Sequence, residues 1–207
     1  SANFKSELLP ERAREPKSKL TLLYAGRVIE SKGILDLLDA MAIIRDQLDC
    51  SLLIAGDGEQ REEIESRIER LNLHRSVSLL GYLDSENLAE LYRSGSIFIL
   101  PTYFGEGFPA AILEAMSYGL PVITTSIRGS RDHLREGVHA LFVQPQNPAD
   151  IARAVIRLAG DPILRSMMSI RNRIKTQDFA PEQFAPKELE IFSRVLKQLE
   201  ANDYGLL

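Results

Sequence analysis

The chain has 207 residues, of which 44% are hydrophobic and 26% charged, so it can bury the core of one ordinary globular domain. Its 25 basic and 29 acidic side chains leave a net charge of −4, without the basic excess of a nucleic-acid-binding protein. No apolar stretch approaches the ~20 residues of a membrane-spanning helix. The single cysteine, Cys50, cannot form an internal disulfide and fits a reducing compartment.

The first 19 residues are polar and are interrupted by Pro10 and Pro16. Such a stretch is typical of a linker between domains and is a poor start for a packed fold. We therefore expect residues 1–19 to be an inter-domain linker or a truncated start, and we expect the intact protein to carry an N-terminal domain before it.

From Leu20 onward, short apolar runs alternate with longer segments of helical period, which is the pattern of an α/β parallel sheet. Most of these runs are apolar on both faces, as in parallel strands that are covered by helices on both sides. Six strands are predicted, at residues 20–24, 51–55, 76–80, 96–100, 121–125 and 140–143.

Helices are predicted between these strands. Residues 33–48 and 60–71 each carry one apolar stripe at helical spacing. Asp84 and Asp150 are predicted starts of further helices, one helix is expected over 148–158, and Asp161 followed by Pro162 is predicted to cap the last one.

The order of the strands predicts where a ligand binds. A six-stranded doubly wound sheet most often has the order 3-2-1-4-5-6, and its ligand crevice opens beside strands 1 and 4. This rule brings Arg27 and Lys32, in the loop after strand 1, opposite Glu106 and the helix that carries Glu114. Two cations beside a helix N-terminus favour the binding of a diphosphate.

Two glutamates after strand 4 are predicted to have different roles. Glu106 lies in a glycine-flanked loop, and Pro109 favours a helix that begins near Ala110 and carries Glu114. A glutamate among apolar helix residues is costly unless it is paired, and hydroxyl groups of a ribose or a pyranose are suitable partners. The alternative is a solvated helix glutamate, which is the commoner case for a lone carboxylate.

The chain carries four motifs in order: GRVIESKG at 26–33, IAGDGE at 54–59, the run from LLGYLDSENL to AMSYGLPVI over 79–123, and a terminal helix over 182–196. Together they resemble the C-terminal, donor-binding domain of a retaining GT-B glycosyltransferase of the group-1 family (family four). The resemblance implies a Rossmann-like nucleotide-sugar-binding domain over 20–177. It also implies a helix over 178–207 that returns toward a missing N-terminal domain, which would hold the acceptor sugar, lipid or other glycoconjugate.

The resemblance also implies roles for particular residues. Arg27 and Lys32 would hold the diphosphate, Glu114 the ribose hydroxyls, and Glu106 the transferred sugar. Glu106, Arg27 and Lys32 would then be the catalytic groups. The donor-binding set implied in this way is Gly26, Arg27, Lys32, Gly81, Tyr82, Glu106, Gly107, Phe108, Pro109 and Glu114, with Gly81 and Tyr82 along the base.

The mechanism implied by the resemblance retains the anomeric configuration and needs no cofactor. The donor would be a UDP-, GDP- or ADP-linked sugar, and the cations would stabilise the departing diphosphate. No metal site is predicted, because the chain lacks an Asp-x-Asp signature and because its three histidines, His74, His133 and His139, are not at ligand spacing. Glu106 is interpreted as a positioning group, since glycosidases need a pair of opposed carboxylates for nucleophilic work. We expect the protein in the cytoplasm or at the inner face of a membrane.

One loop departs from the family pattern. After strand 5 only Gly129 matches, and Ser130 replaces a second glycine, so no donor contact is assigned to this loop.

A nicotinamide-dependent dehydrogenase is disfavoured because the first βα turn lacks GxGxxG. A non-hydrolysing sugar-nucleotide epimerase and a non-catalytic nucleotide-sugar-binding module remain alternatives.

Overall fold

The computed structural model describes residues 19–103, 105 and 107–179. Six β-strands lie within these ranges: β1 Leu20–Ala25, β2 Cys50–Ala55, β3 Val77–Gly81, β4 Ile97–Leu100, β5 Val122–Thr125 and β6 Ala140–Val143. The α-helices there are α1 Ile34–Ile44, α2 Arg61–Arg70, α3 Ser85–Ser94, α4 Ala110–Ser117, α5 Arg128–His133, α6 Pro148–Gly160 and α7 Pro162–Thr176. Short 3-10 turns occupy Glu30–Lys32 and Gln177–Phe179.

The six strands form one parallel sheet in the order β3-β2-β1-β4-β5-β6. Leu22 of β1, for example, pairs with Leu52 of β2 and with Ile97 of β4. This confirms the predicted doubly wound α/β fold, and each predicted strand matches an observed strand to within one residue at either end.

Burial along the strands follows their place in the sheet. Every residue of the central strands β4 and β5 is buried, because helices cover both faces there. The edge strand β3 alternates instead between more and less exposed positions. Cys50 lies buried at the start of β2, and burial raises the pKa of its thiol to about 11.

Two of the three predicted helix caps are confirmed. Asp84 accepts a hydrogen bond from the Asn87 N–H at 2.9 Å, and Asp161 accepts one from the Leu164 N–H at 2.8 Å. Asp150 does not begin a helix, however, because the amide oxygen of Asn147 accepts from the Asp150 N–H at 3.1 Å and caps α6 in its place. Pro148 follows this cap as the first helical residue, where its missing N–H is harmless.

The described residues through Arg173 belong to one compact unit, and Ile174–Phe179 are assigned to another. Within this second segment, the Lys175 ammonium contacts the Asp178 carboxylate at 2.9 Å. Of the predicted linker over 1–19, only residue 19 is described. Of the predicted C-terminal helix over 178–207, only residues 178 and 179 are described. No helix in the described part of the chain is long and apolar enough to cross a membrane.

Candidate donor-binding site

The loop after β1 is held in place through its backbone. The Tyr24 hydroxyl donates to the carbonyl of Arg27 at 2.7 Å, and the Val28 N–H donates to the carbonyl of Asp57 at 3.0 Å. The Gln60 N–H in turn donates to the Val28 carbonyl at 3.1 Å. The loops that follow β1 and β2 are therefore joined at the carboxyl edge of the sheet.

The loop after β1 also meets the loop after β4, as the strand order predicts. The carbonyl of Ser31 accepts hydrogen bonds from the Tyr103 N–H at 2.9 Å and from the Thr102 hydroxyl at 3.1 Å. Gly33 has a left-handed backbone, with φ 71°, and a Cβ added there would collide with the carbonyl of Pro101. Glycine therefore permits this close approach of the two loops.

The two predicted phosphate-binding cations lie on this anchored loop. The Arg27 side chain is exposed, and Lys32 is half-buried at the end of the 3-10 turn that precedes Gly33. The same edge of the sheet also contains the N-terminus of α4, whose first N–H groups have no acceptor within the helix. Two cations and one helix N-terminus thus lie at the edge where the strand order reverses.

Helix α4 begins at Ala110, as Pro109 predicted, and Pro109 occupies its N-cap position. Glu114 lies near its middle and is half-buried. Its carboxylate oxygen Oε2 accepts a hydrogen bond from the Tyr92 hydroxyl at 3.1 Å. The pairing that the apolar surroundings of Glu114 require is thus made by a residue of α3.

Sequence reasoning missed Tyr92 as a member of this site. It belongs to the apolar stripe of α3, and its side chain is 1% exposed. Its ring stacks on Tyr118, with centroids 5.4 Å apart and an angle of 19° between the planes, and lies 5.9 Å from the Phe98 ring. Burial, reinforced by the neighbouring carboxylate of Glu114, raises the pKa of the Tyr92 hydroxyl well above its ordinary value. Tyr92 therefore stays protonated and acts as a donor.

Tyr103 is a second phenol at this edge of the sheet. Its pKa is raised by burial and by the nearby carboxylates of Glu30 and Asp36, and a hydrogen bond with Gln146 opposes this shift. Since Tyr103 also donates its N–H to Ser31, it links the loop after β4 both to the loop after β1 and to the segment after β6.

Helix α5, in the segment after β5 that was expected to be a loop, packs on the backbone of the loop after β4. A Cβ added at Gly129 would collide with the Gly107 carbonyl, and the His133 ring lies 5.0 Å from the Phe108 ring. Ser130 is fully buried, and its hydroxyl has no hydrogen-bond partner in the described part of the chain. Glu136 accepts from the Phe142 N–H at 2.6 Å, so it supports the end of the sheet at β6.

The residues assigned to the base lie at the end of β3. Gly81 has a left-handed backbone, with φ 68°, and its carbonyl accepts from the Gly56 N–H at 2.8 Å. The Tyr82 side chain is 82% exposed. Glu106 lies outside the described residues, so its assignment to the transferred sugar stays a prediction. The exposed Gly105 and Gly107 flank it.

The described histidines are not gathered into a metal site. His74 and His133 are exposed, and the Nδ1 atom of His139 accepts from the Arg135 N–H at 3.2 Å. Among the residues that the structure describes, no three His, Cys, Asp or Glu side chains could hold a metal ion together. Metal independence stays a prediction about the reaction.

The strand order reverses between β1 and β4, and the loops that follow these two strands are in close contact. These features define a doubly wound α/β domain, a class of fold whose ligands bind at the edge where the order reverses. The chain belongs to the glycosyl transferases group 1 family, whose sequence profile matches residues 5–175. This confirms the resemblance to a group-1 glycosyltransferase. The assignments to a retaining mechanism and to family four stay predictions.

One curated relative is an uncharacterized glycosyltransferase of Methanocaldococcus jannaschii, 34% identical over 140 residues, which are 68% of this chain and 36% of the relative. Two solved structures share the fold. Anabaena HepE in complex with UDP-glucose has a TM-score of 0.79 at 22% identity, over 86% of this chain and 49% of HepE. The C-terminal domain of the group 1 glycosyl transferase LpcC from Francisella tularensis has a TM-score of 0.70 at 21% identity, over 76% of this chain and 84% of that one.

The chain spans half or less of the length of the curated relatives that it matches, from 20% to 50%. The LpcC structure, by contrast, is itself a C-terminal domain, and most of it is covered by this chain. The described fold therefore corresponds to the C-terminal half of the GT-B architecture.

Proposed function

We propose that this chain is the donor-binding domain of a retaining, metal-independent glycosyltransferase and that it binds a nucleotide-diphospho-sugar at the edge between β1 and β4. The observation that carries the proposal is the junction at the Ser31 carbonyl, where Tyr103 and Thr102 join the loop after β4 to the loop after β1. This junction brings the segment with Arg27 and Lys32 beside the segment that leads to Glu114. Anabaena HepE, which has the same fold, is described with UDP-glucose bound, and this supports the choice of ligand class.

Each part of the proposed donor meets a group of matching chemistry. Arg27 offers a fork of N–H donors and Lys32 a point charge to the diphosphate, and the N-terminus of α4 adds oriented dipoles. Glu114 accepts hydrogen bonds from the ribose hydroxyls. Gly81 and Tyr82 lie along the base, and Glu106 with the backbone of residues 107–109 positions the transferred sugar.

The proposed catalysis is electrostatic. When the bond between the anomeric carbon and the diphosphate oxygen breaks, negative charge collects on the leaving diphosphate. Arg27, Lys32 and the N-terminus of α4 stabilise that charge, so the leaving group departs without a proton donor of its own. The acceptor hydroxyl then attacks the anomeric carbon on the face from which the diphosphate leaves, so the new glycosidic bond retains the configuration, and the hydroxyl proton passes to the departing diphosphate oxygen.

Transfer also requires an acceptor domain that closes the other half of the cleft. Correct orientation of two reactants is worth ~7–11 kcal/mol of barrier lowering, which half a cleft does not supply. We therefore expect the chain, by itself, to bind a nucleoside diphosphate but not to transfer sugar. Sustained transfer of glucose from UDP-glucose by the isolated chain would contradict this expectation.

Isothermal titration calorimetry tests the donor site. The wild-type chain is first titrated with UDP, GDP and ADP to identify the base, and then with the matching nucleoside and nucleotide sugar. Arg27→Ala and Lys32→Ala should weaken every diphosphate ligand and leave the bare nucleoside unchanged. Arg70→Ala, at the exposed end of α2, is the matched control and should bind like the wild type.

The same titrations separate the two glutamates. Glu114→Ala should weaken the nucleoside diphosphate and the nucleotide sugar by similar amounts, about 1.5–3 kcal/mol for hydrogen bonds to a charged group. Glu106→Ala should spare the nucleoside diphosphate and weaken only the intact donor. Glu86→Ala, an exposed glutamate on α3, should change neither. Equal behaviour of the Glu114 and Glu106 variants toward all ligands would overturn the assigned roles.

In the full-length protein, the Glu106→Ala variant should lose rate more than affinity, because positioning matters most in the transition state. Full-length protein that binds the donor but never transfers its sugar would instead identify a binding module. Release of an epimerised nucleotide sugar would identify an epimerase.

A further inference from the structure

We propose that Tyr92 is a positioning residue that holds the Glu114 carboxylate in the orientation that accepts the ribose hydroxyls of the donor. The inference rests on the proposed role of Glu114 and adds to the donor site a residue that touches no donor atom. It starts from one long-range hydrogen bond between two helices, which joins residues 22 positions apart.

The geometry favours the carboxylate as the partner of the Tyr92 hydroxyl. The hydroxyl oxygen is 3.1 Å from Oε2 of Glu114 and 3.5 Å from the carbonyl of Ala111. A hydroxyl has a single proton to donate, and a charged acceptor at the shorter distance makes the stronger hydrogen bond. The phenol therefore donates mainly to Glu114.

The phenol ring is held on both helices, so the hydroxyl has a fixed direction. Tyr92 is 1% exposed, and its ring stacks on Tyr118, which lies one turn beyond Glu114 on the chain. The guanidinium of Arg93 lies over the Tyr118 ring, 5.6 Å from its centroid. Phe98 of β4 contacts the Tyr92 ring as well.

A packing role alone does not explain the hydroxyl group. Phenylalanine would fill the same apolar volume without burying a polar atom, and a buried hydroxyl is costly unless it is bonded. The structure places that hydroxyl against the one carboxylate of α4. This is the arrangement expected of a residue that orients an acceptor for an outside ligand.

The advantage for binding is preorganisation. A glutamate side chain on a helix surface samples several rotamers, and a ligand that needs one of them loses affinity by ordering it. A hydrogen bond to Oε2 fixes the carboxylate before the ligand arrives. The carboxylate keeps further lone pairs for the two hydroxyls of a ribose, because it offers about four acceptor positions.

Calorimetry with UDP and with 2′,3′-dideoxyuridine diphosphate tests the inference, and the corresponding GDP or ADP pair serves if the chain prefers another base. Tyr92→Phe keeps the ring and removes the donor. We expect it to weaken UDP binding by roughly 3–10-fold, as for one lost hydrogen bond, and to leave the dideoxy compound unchanged. In a Glu114→Ala background, Tyr92→Phe should have no further effect on UDP.

Two controls separate positioning from packing. Ser94→Ala removes another hydroxyl from α3, one that donates to the Leu91 carbonyl at 2.8 Å, and it should leave both affinities unchanged. Thermal unfolding of Tyr92→Phe shows whether the domain is intact. If Tyr92→Phe weakens UDP and the dideoxy compound equally, or weakens neither, the positioning role is wrong.

The experiment also distinguishes failure of this inference from failure of the proposed function. If Glu114→Ala removes the preference for UDP over the dideoxy compound while Tyr92→Phe keeps it, only the role of Tyr92 is overturned. If Glu114→Ala leaves that preference intact, Glu114 does not bind ribose, and both proposals for these residues are wrong.

Discussion

The loop after β1 and the surface between α3 and α4 prepare two parts of the same site in different ways. The loop is fixed by hydrogen bonds of its own backbone, at Arg27, Val28 and Ser31, while the Arg27 side chain remains exposed. The α3–α4 surface is fixed by side chains, with Tyr92 buried against Tyr118 and bonded to Glu114. In the loop after β1 the backbone is thus fixed in place, whereas between α3 and α4 it is the carboxylate of Glu114.

The difference matches the interactions proposed for each region. Attraction between a cation and a diphosphate falls off slowly with distance, so Arg27 can adjust its position and still bind. A hydrogen bond to a ribose hydroxyl weakens steeply with poor distance or angle, so the carboxylate must be placed in advance. A side chain is therefore held in advance where its proposed interaction is directional, and is left exposed where the interaction depends mainly on charge.

The largest expected effect concerns the backbone of the loop after β1. Gly33→Ala forces a left-handed alanine and a collision with the Pro101 carbonyl. These two costs should destabilise the domain by roughly 2–5 kcal/mol, as measured by urea unfolding, and should weaken UDP binding. Gly160→Ala is the control, because a Cβ at this end of α6 meets nothing within 4 Å. A Gly33→Ala protein as stable as wild type would show that the two loops do not need this close contact.

The next effect concerns packing between α3 and α4. Tyr118→Leu removes the ring that stacks on Tyr92 and lies under Arg93. It should destabilise the domain by about 1–2 kcal/mol, since an aromatic pair adds to the area that it buries. Tyr82→Leu, at a side chain that is 82% exposed, should leave the urea midpoint unchanged. Equal destabilisation by the two changes would remove the distinction between a packed surface and an open one.

A smaller effect is expected at the start of α3, the helix that carries Tyr92. Asp84→Ala removes the side chain that caps the Asn87 N–H and should lower the free energy of unfolding by about 1 kcal/mol. Asp46→Ala is the control, since that exposed carboxylate contacts Arg45 in a surface ion pair at 3.6 Å and the change should alter stability by less than about 0.5 kcal/mol. An Asp84→Ala effect as small as that of Asp46→Ala would mean that tertiary packing alone fixes the first turn.

The smallest effect is a difference in salt dependence. Raising the salt from about 0.05 to 0.5 M should reduce the loss of UDP affinity caused by Arg27→Ala, because salt screens an exposed cation. The loss caused by Glu114→Ala should change little, because it comes from a half-buried, directional hydrogen bond. Titration of both variants with UDP at the two salt concentrations measures this contrast. An equal response of the two variants would show that both groups act through long-range charge.

The strands and their order could be predicted from the sequence, and with them the edge where the loops that carry the candidate residues meet. Apolar runs fix strands because both faces of a parallel sheet are buried, and the winding rule then places the loop with Arg27 and Lys32 beside the one leading to Glu114. Helix caps could also be predicted where a single side chain accepts a backbone N–H of the first turn, as at Asp84 and Asp161. At Asp150 the prediction was wrong, because Asn147, three residues earlier, accepts the N–H of Asp150 and caps the helix there.

The partner of the Glu114 carboxylate, in contrast, depends on tertiary packing. Tyr92 has the same helical spacing as any apolar residue of α3, and no local pattern shows that its hydroxyl reaches a carboxylate on another helix. The close approach of Gly33 to Pro101 and of Gly129 to Gly107 likewise depends on how the loops pack in three dimensions. Periodicity and capping are local properties of the chain, whereas these contacts arise only when the whole sheet sets the distance between segments far apart in sequence.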